Sequence, residues 1–467
     1  MEDLVHSFEA TLPEGARRTA EALLRAGGRA CAVGGSLRDH LLGLEVKDWD
    51  FATDLLPERV RSLFPRAVEV GIRFGTILVM ETDGTYEVTT FRRDGRYSDA
   101  RHPDSVSFTA SLEEDLSRRD FTINAMAFDL HERRLIDPQA GRADLGRRII
   151  RCVGRAEERF REDALRMLRA VRIAGQLGFE IEEETYLAIV RCAALIDAIA
   201  MERVREELDR ILTQPMPSIS IGRLLETGLL ERFLPELADA YGVCQNRYHA
   251  FDIYHHSLCV TDQAPAKNKI VRLAALLHDL GKVATRHEAA GRVTFYNHQV
   301  VGARMADQIL RRLRYSGEER ERVVHLVEQH MFHYNSDWTD AAVRRFVRAV
   351  GPELMEDLFA VRAADTLGNG LKRGGVSGHL LELRSRIAEI RARDEALSVR
   401  DLQIDGHDLM SALGIAEGPL IGRILDALLD EVLEDPARNA HDALLGRAAE
   451  LRGEIEPTLP PRRKRKE

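Results

Sequence analysis

Between Val33 and Thr53 the chain reads VGGSLRDHLLGLEVKDWDFAT, and few local architectures accept this order of residues. The small apolar run at 30–33 reads as a strand, Gly34-Gly35-Ser36 as a turn, 37–42 as an amphipathic helix, and Asp48-Trp49-Asp50 as part of a second strand. Strand residues alternate between two faces, so Asp48 and Asp50 project together while Trp49 points the other way. Neighbouring carboxylates repel unless a cation lies between them. Hard oxygen donors beside a glycine turn suit Mg²⁺ holding a nucleoside triphosphate. The glycines let backbone N–H groups approach phosphate, and a helix starting near Ser36 adds its positive end. A lone D-x-D or GG turn is ordinarily structural; the succession of strand, turn, helix and D-x-D strand carries the reading.

The flanking sequence predicts a mixed sheet with helices packed on it. Residues 17–27 read as an amphipathic helix, and a short helix follows to 64 with Pro57 near its first turn. Three apolar runs follow at 67–70, 76–81 and 85–91, the last two separated by the hairpin signal Asp83-Gly84. Glu87 lies on the last of these. A third carboxylate there would complete a metal site and help activate a hydroxyl nucleophile, although spacing alone does not separate it from a solvated edge residue. In DLSRRDFTINAMAFDL, Arg119 offers a planar fork to phosphate, and Asp120 and Asn124 offer acceptors to sugar hydroxyls. Beyond residue 150 helical periodicity takes over. Leu165, Leu168, Val171 and Ile173 are its apolar positions, and Asp163 and Arg166 are expected to share a face as an i, i+3 pair.

Taken together, these segments resemble the head of the polymerase-beta-like nucleotidyltransferases, specifically the bacterial and eukaryotic class of tRNA nucleotidyltransferases (CCA-adding enzymes) and their poly(A) polymerase relatives. The resemblance implies an α+β fold in which a nucleotidyltransferase head precedes all-α neck, body, HD and tail regions. It implies that Asp48 and Asp50 bind Mg²⁺ with Glu87 as a catalytic partner. Gly34, Gly35, Ser36, Arg38, Arg119, Asp120, Asn124 and Arg169 would contact the nucleotide. Asp163 and Arg166 would form the E-D-x-x-R template that reads the base, since C and A both present an amine beside an acceptor nitrogen. Asp137, Gly141, Arg142 and Asp144 would lie in the family's flexible loop, and 201–215 in the next helix of the pocket. The implied reaction is attack of a tRNA 3′-hydroxyl on the α-phosphate of CTP or ATP, with pyrophosphate leaving. GIRFGTILV at 71–79 resembles the CCA-adding form better than the poly(A) form. The loop at 137–146 disfavours a CC-only enzyme and leaves an A-adding enzyme open.

A second constellation follows: His256, the pair His278-Asp279, His298, His330 and Asp365, all on helical stretches. A charged pair inside the apolar run LAALLHDLGK is costly unless it binds something. The order H, HD, H, H, D resembles the HD superfamily of metal-dependent phosphohydrolases, in members able to hold two metals. It implies a phosphatase or phosphodiesterase using Ni²⁺, Mn²⁺ or Mg²⁺. His255 beside His256 leaves the register of the first ligand open. A pure HD phosphohydrolase with a non-catalytic head is the alternative of a different class, and intact Asp48, Asp50, Asp163 and Arg166 argue against it.

The net charge of -9 does not announce a nucleic-acid partner, but arginines crowd 147–172 and 304–322, and a basic run closes the chain at 462–466. IDGHDL at 404–409 and GPLIGRIL at 418–425 resemble the tail of HD-containing CCA-adding enzymes, with tRNA contact expected at the turn. The five cysteines form no C-x-x-C, and neither a signal-like core nor a long apolar run is present, so a cytoplasmic protein is expected. The expected division is 1–150 head, 151–244 neck and body, 245–372 HD domain, 373–455 helical tail and 456–467 disordered basic tail.

Overall fold

The structure is a computed structural model that describes residues 8, 10–71, 74–95, 105–246, 248–371, 377–393 and 397–456. The basic run at 462–466 and part of the 71–79 segment lie outside the described residues. The chain forms two compact units, one of Met1–Asp239 with Arg312–Tyr315, the other of Ala240–Arg311 with Ser316–Glu467.

The first unit is built on a seven-stranded sheet. Its strands are β1 (Cys31–Val33), β2 (Asp50–Thr53), β3 (Ala67–Gly71), β4 (Thr76–Met80), β5 (Thr85–Thr90), β6 (Ala127–Asp129) and β7 (Arg134–Ile136), in the order β3-β4-β5-β2-β1-β6-β7. β2 and β5 run parallel, and every other neighbouring pair is antiparallel. The Asp83-Gly84 turn closes the β4–β5 hairpin, with Glu81 N–H donating to the Gly84 carbonyl at 2.9 Å. Alternation holds along these strands: Ile77, Val79, Tyr86 and Val88 are buried while Glu87 faces the other side. One face packs Val33, Ala52, Phe91, Leu112, Leu116 and Ala127 into a core.

Two local expectations are corrected. The leading helix spans Glu14–Arg25, three residues ahead of the expected start, because Pro13 presets its entry and Glu14 pairs with Arg18 at 2.7 Å. The stretch taken as a flexible loop folds as a helix, Gly141–Arg147. Asp137 accepts from the N–H groups of Gly141 and Arg142 at 2.7 and 3.0 Å, satisfying its first turn. Asp144 is buried and accepts from Thr122 Oγ1 at 2.7 Å and Arg151 Nε at 3.1 Å. After residue 150 helices dominate, among them Ala156–Glu162, Leu165–Leu177, Glu183–Cys192 and Met201–Leu212.

In the second unit, helices Ile253–Gln263, Lys269–Leu277, Gly317–Gln329 and Met355–Gly368 pack as a bundle. Helix His298–Arg312 reaches it through a backbone contact that requires glycine: a Cβ at Gly281 would lie 2.1 Å from the His298 carbonyl oxygen. A separate core of Leu409, Ile424, Leu428, Leu429, Val432 and Leu433 joins helices Gly406–Leu413, Pro419–Glu434 and His441–Ile455. Among the described residues no helix is long and apolar enough to cross a membrane.

Candidate functional site

Strand β2 begins at Asp50, so Asp48 precedes the strand instead of lying on it. The alternation expected of it still holds, because Trp49 is buried against Phe8 while Asp48 is exposed. The parallel register of β2 and β5 sets Asp50 directly beside Glu87. Burial, then Glu87 and Asp48, push the Asp50 carboxyl up to about 7, against the opposing pull of Arg119. Three crowded carboxylates, with Asp50 half-buried, form a site that a divalent cation would neutralise. Gly34 has φ +72°, and a Cβ there would stand 3.7 Å from Asp50 Oδ2 and 3.4 Å from Arg119 Nη1. Ser36 turns its hydroxyl back to the Val33 carbonyl at 2.8 Å.

A cavity of about 340 Å³ joins Asp50 and Glu87 to Arg119, Asp120, Asp163 and Arg166. Arg169 grips Asp120 Oδ2 through Nε and Nη2 at 3.0 and 2.8 Å, and Asn124 donates to Asp120 Oδ1 at 3.1 Å. Arg38 in turn donates to Asn124 Oδ1 at 2.9 Å. Arg38 and Asn124 are therefore buried beneath Asp120 and position it, and neither lines the cavity. Burial opposes ionisation of Asp120, but Arg169, Asn124 and Arg166 overcome it and bring the carboxyl down to about 2. Its folded value lies below its unfolded one, so this group's stabilisation is complete above about pH 4 and lost as pH falls towards 2. Asp120→Asn is expected to lose about 2 kcal/mol of stability at neutral pH, a difference from wild type that shrinks in acid. Urea unfolding of both proteins across that pH range checks this.

Asp163 and Arg166 do not share one helix face. Helix Ala156–Glu162 stops at Asp163, which has an extended backbone (φ -146°), and Leu165–Leu177 starts afresh. The break arises because the Asp163 carboxylate accepts from Leu165 N–H at 3.1 Å, a capping bond that competes with helix continuation. Arg166 instead donates to Glu162 at 2.6 Å and to the Arg118 carbonyl at 3.3 Å. Both oxygens of Asp163 are held by Arg203, at 3.1 and 2.8 Å. Arg203 lines the cavity, and buried Glu207 beneath it anchors Arg172 at 2.5 Å; sequence reasoning singled out neither. Their i, i+4 spacing on Met201–Leu212 was the available signal.

In the second unit the structure draws all six expected residues together. His256 Nε2 lies 3.3 Å from Asp279 Oδ2 and 3.2 Å from Asp365 Oδ1, and His278 Nε2 lies 3.2 Å from Asp279 Oδ2. Asp279 Oδ1 faces His298 and His330 at 3.5 and 3.7 Å. Two overlapping ligand groups result, His256-His278-Asp365 and His278-Asp279-His330. The Nε2 atoms of His256, His278, His298 and His330 are all buried without a hydrogen bond. All four Nδ1 atoms face carbonyl oxygens, those of Gly368, Ala275, Phe295 and Val327 at 3.4, 2.7, 2.8 and 2.6 Å. Those contacts favour the tautomer whose Nε2 lone pair points inward, which is how metal-binding imidazoles are prepared. The donor set therefore fits divalent metal. His255 is exposed on the Asp252 cap, so it stands apart from the cluster. Lys282, one turn beyond the pair, bonds Asp279 Oδ2 at 2.6 Å and Gln245 Oε1 at 2.8 Å and was not anticipated.

Residues 30–151 match the Poly A polymerase head domain family, 178–241 the family described as Probable RNA and SrmB-binding site of polymerase A, and 246–370 the HD domain family. A CCA-adding enzyme of Anoxybacillus flavithermus is 35% identical over 424 residues, covering 91% of this chain and 94% of that protein. Another, from Streptococcus thermophilus, is 34% identical over 427 residues, with 91% and 94% covered. Among solved structures, the Bacillus stearothermophilus CCA-adding enzyme in complex with CTP superposes with a TM-score of 0.70 at 30% identity, covering 95% of this chain and 98% of that one.

Proposed function

This chain belongs to the CCA-adding enzymes, and on that premise we propose which of its residues act on tRNA, CTP and ATP. The observation that carries the assignment is the β2–β5 register, which sets Asp50 beside Glu87 in the wall of a cavity that Asp163 and Arg166 also line. Asp48 and Asp50 would hold the divalent metal, Mg²⁺, which when bound neutralises the triphosphate and the charge developing on the attacking and leaving oxygens. Glu87 favours loss of the 3′-hydroxyl proton. Gly34 leaves room for phosphate beside Asp50, and Arg119 faces the same space with its guanidinium. Asp120, fixed by Arg169 and Asn124, accepts from a ribose hydroxyl. Asp163 accepts the exocyclic amine of C or A, and Arg166 donates to the neighbouring ring acceptor. Divalent metal at the HD cluster would polarise a phosphate ester, with His256, His278, Asp279, His298, His330 and Asp365 as its holders; Ni²⁺, Mn²⁺ and Mg²⁺ all suit this donor set. The head would occupy 1–150, the neck and body 151–244, the HD domain 245–372 and a tRNA-contacting tail 373–455. The protein would act in the cytoplasm, a reading supported by its tRNA substrate and by the lack, among the described residues, of a helix long and apolar enough to cross a membrane.

The test uses three tRNA transcripts ending at the discriminator base, at C and at CC, each given CTP, ATP or both with Mg²⁺. Ordered addition of C, C and A to the shortest is expected. Addition of A alone to the CC end would make the protein an A-adding enzyme, and unlimited A on any RNA a poly(A) polymerase. For the HD cluster, p-nitrophenyl phosphate and its bis-ester are expected to be hydrolysed when Ni²⁺, Mn²⁺ or Mg²⁺ is supplied. Failure with all three would remove the hydrolase assignment.

A further inference from the structure

Helix Leu112–Ser117 carries a carboxylate, Asp115, that is wholly buried. Arg118 and Arg119 follow it at i+3 and i+4, a spacing that on a solvated helix makes an ordinary surface pair. Here both arginines stand in the wall of the cavity that holds Asp50 and Glu87, their side chains 16% and 17% exposed. Asp115 lies behind them and divides its two oxygens. Oδ1 accepts from Arg118 Nε and Nη2 at 3.0 and 2.7 Å and from the Arg92 N–H at 3.3 Å. One guanidinium already neutralises a carboxylate, yet Oδ2 also accepts from Arg119 Nη2 at 3.1 Å. Among the described residues this is the one hydrogen bond of the Arg119 side chain, whose Nε is buried without a partner. Arg119 Nη1 lies 3.4 Å from the place a Cβ on Gly34 would take, so glycine keeps that edge of the guanidinium open. Burial would raise the Asp115 carboxyl, but Arg119 and Arg118 outweigh it and hold it below the usual carboxylate range.

We propose that Asp115 is a positioning residue for the nucleoside triphosphate: it holds Arg119 by Nη2 alone and so presents Nη1 to the phosphates beside Gly34. The inference rests on the reading of Arg119 as a phosphate contact, and adds what fixes that guanidinium. Charge acting through space would work the other way, because an anion near a triphosphate repels it. Asp115 therefore favours binding only through the arginine it orients. The sign of the effect separates positioning from charge.

The experiment is equilibrium dialysis of the full-length protein with Mg²⁺ against CTP and against cytidine, which share base and ribose and differ in the triphosphate. The substituted residues belong to the first unit, so nucleotide bound by the second is the same in every variant. Asp115→Asn is expected to weaken CTP about tenfold and leave cytidine unchanged, since the amide cannot accept from both arginines. Arg119→Met should weaken CTP at least as much, and adding Asp115→Asn to it should cost nothing further. Arg119→Lys keeps the charge and the buried carboxylate, so it reads the same point in a protein whose fold is not at stake. It too should weaken CTP about tenfold, because an ammonium lacks the fork that Asp115 holds. CTP binding that is unchanged or tighter in Asp115→Asn, equal losses of CTP and cytidine, additive losses in the double variant, or full CTP binding by Arg119→Lys would each overturn the proposal. Normal CTP binding by Arg119→Met would remove the phosphate reading of Arg119 itself, whereas a loss there without one in Asp115→Asn would remove the positioning role alone.

Discussion

Asp50→Asn is expected to lower incorporation of CTP and ATP into tRNA by roughly a thousandfold, and the double variant with Asp48→Asn should be scarcely worse. Groups that hold one cation act as a unit, so the second loss finds little left to remove. The same substitution should stabilise the metal-free fold. The folded Asp50 carboxyl sits near 7, well above its unfolded value, because burial and the carboxylates of Glu87 and Asp48 oppose its charge. Such a group costs stability as pH rises from about 4 through 7, since the folded state then binds more protons than the unfolded one. Asn carries no charge, so in the presence of a chelator the variant should lack that decline and exceed wild type by up to roughly 4 kcal/mol above pH 7. Single-nucleotide incorporation kinetics and urea unfolding from pH 5 to 8 check the two halves. A variant both inactive and less stable than wild type would mean that Asp50 supports the fold and that its crowding is not tension reserved for a cation.

The contrast between Asp50 and Asp163 shows what could be read before any coordinates. Strand alternation is a two-residue period, so D-W-D implied two outward carboxylates around a buried ring, and the outcome survives the shift of the strand start to Asp50. Glu87 was harder, because its role depends on β5 lying parallel to β2, and a pairing across 37 positions leaves no local trace. At Asp163 local spacing misled. Three residues apart on a helix means one face, but an aspartate can cap the next turn instead, and here it does. Arg203, which holds that carboxylate, is 40 positions away, and its i, i+4 spacing with Glu207 marks a helix face without naming the carboxylate that face meets. Residues 137–146 erred the other way: the family resemblance implied a flexible loop, whereas Asp137 and Asp144 supply the bonds that let Gly141–Arg147 close as a helix. The HD ligands were legible because histidine and aspartate are costly in apolar helices, so their presence implied a common destination. Lys282 escaped notice because lysine one turn beyond an aspartate is ordinarily a surface pair.

Asp279→Asn should abolish metal retention at the HD cluster. Asp279 alone reaches both halves of the site: Oδ2 lies 3.3 and 3.2 Å from the Nε2 atoms of His256 and His278, and Oδ1 lies 3.5 and 3.7 Å from those of His298 and His330. An amide brings no charge, and its nitrogen end would turn donors toward either the imidazoles or the Lys282 ammonium. Affinity for Mn²⁺ or Ni²⁺ is expected to fall by more than about a hundredfold, measured as bound metal after dialysis, and phosphate-ester hydrolysis should fall with it. Asp365→Asn should be milder, since Asp365 Oδ1 meets only His256 and His278 and leaves the His298–His330 side intact. The order of the two variants is the informative result. If they cost the same, the six residues hold a single ion near His256 and His278. If Asp279→Asn costs distinctly more, the carboxylate bridges two ions, as its opposed oxygens suggest. Incorporation of CTP and ATP is the internal control, because Asp48, Asp50 and Glu87 belong to the other unit of the chain. A parallel loss there would mean that one chemistry depends on the other's metal.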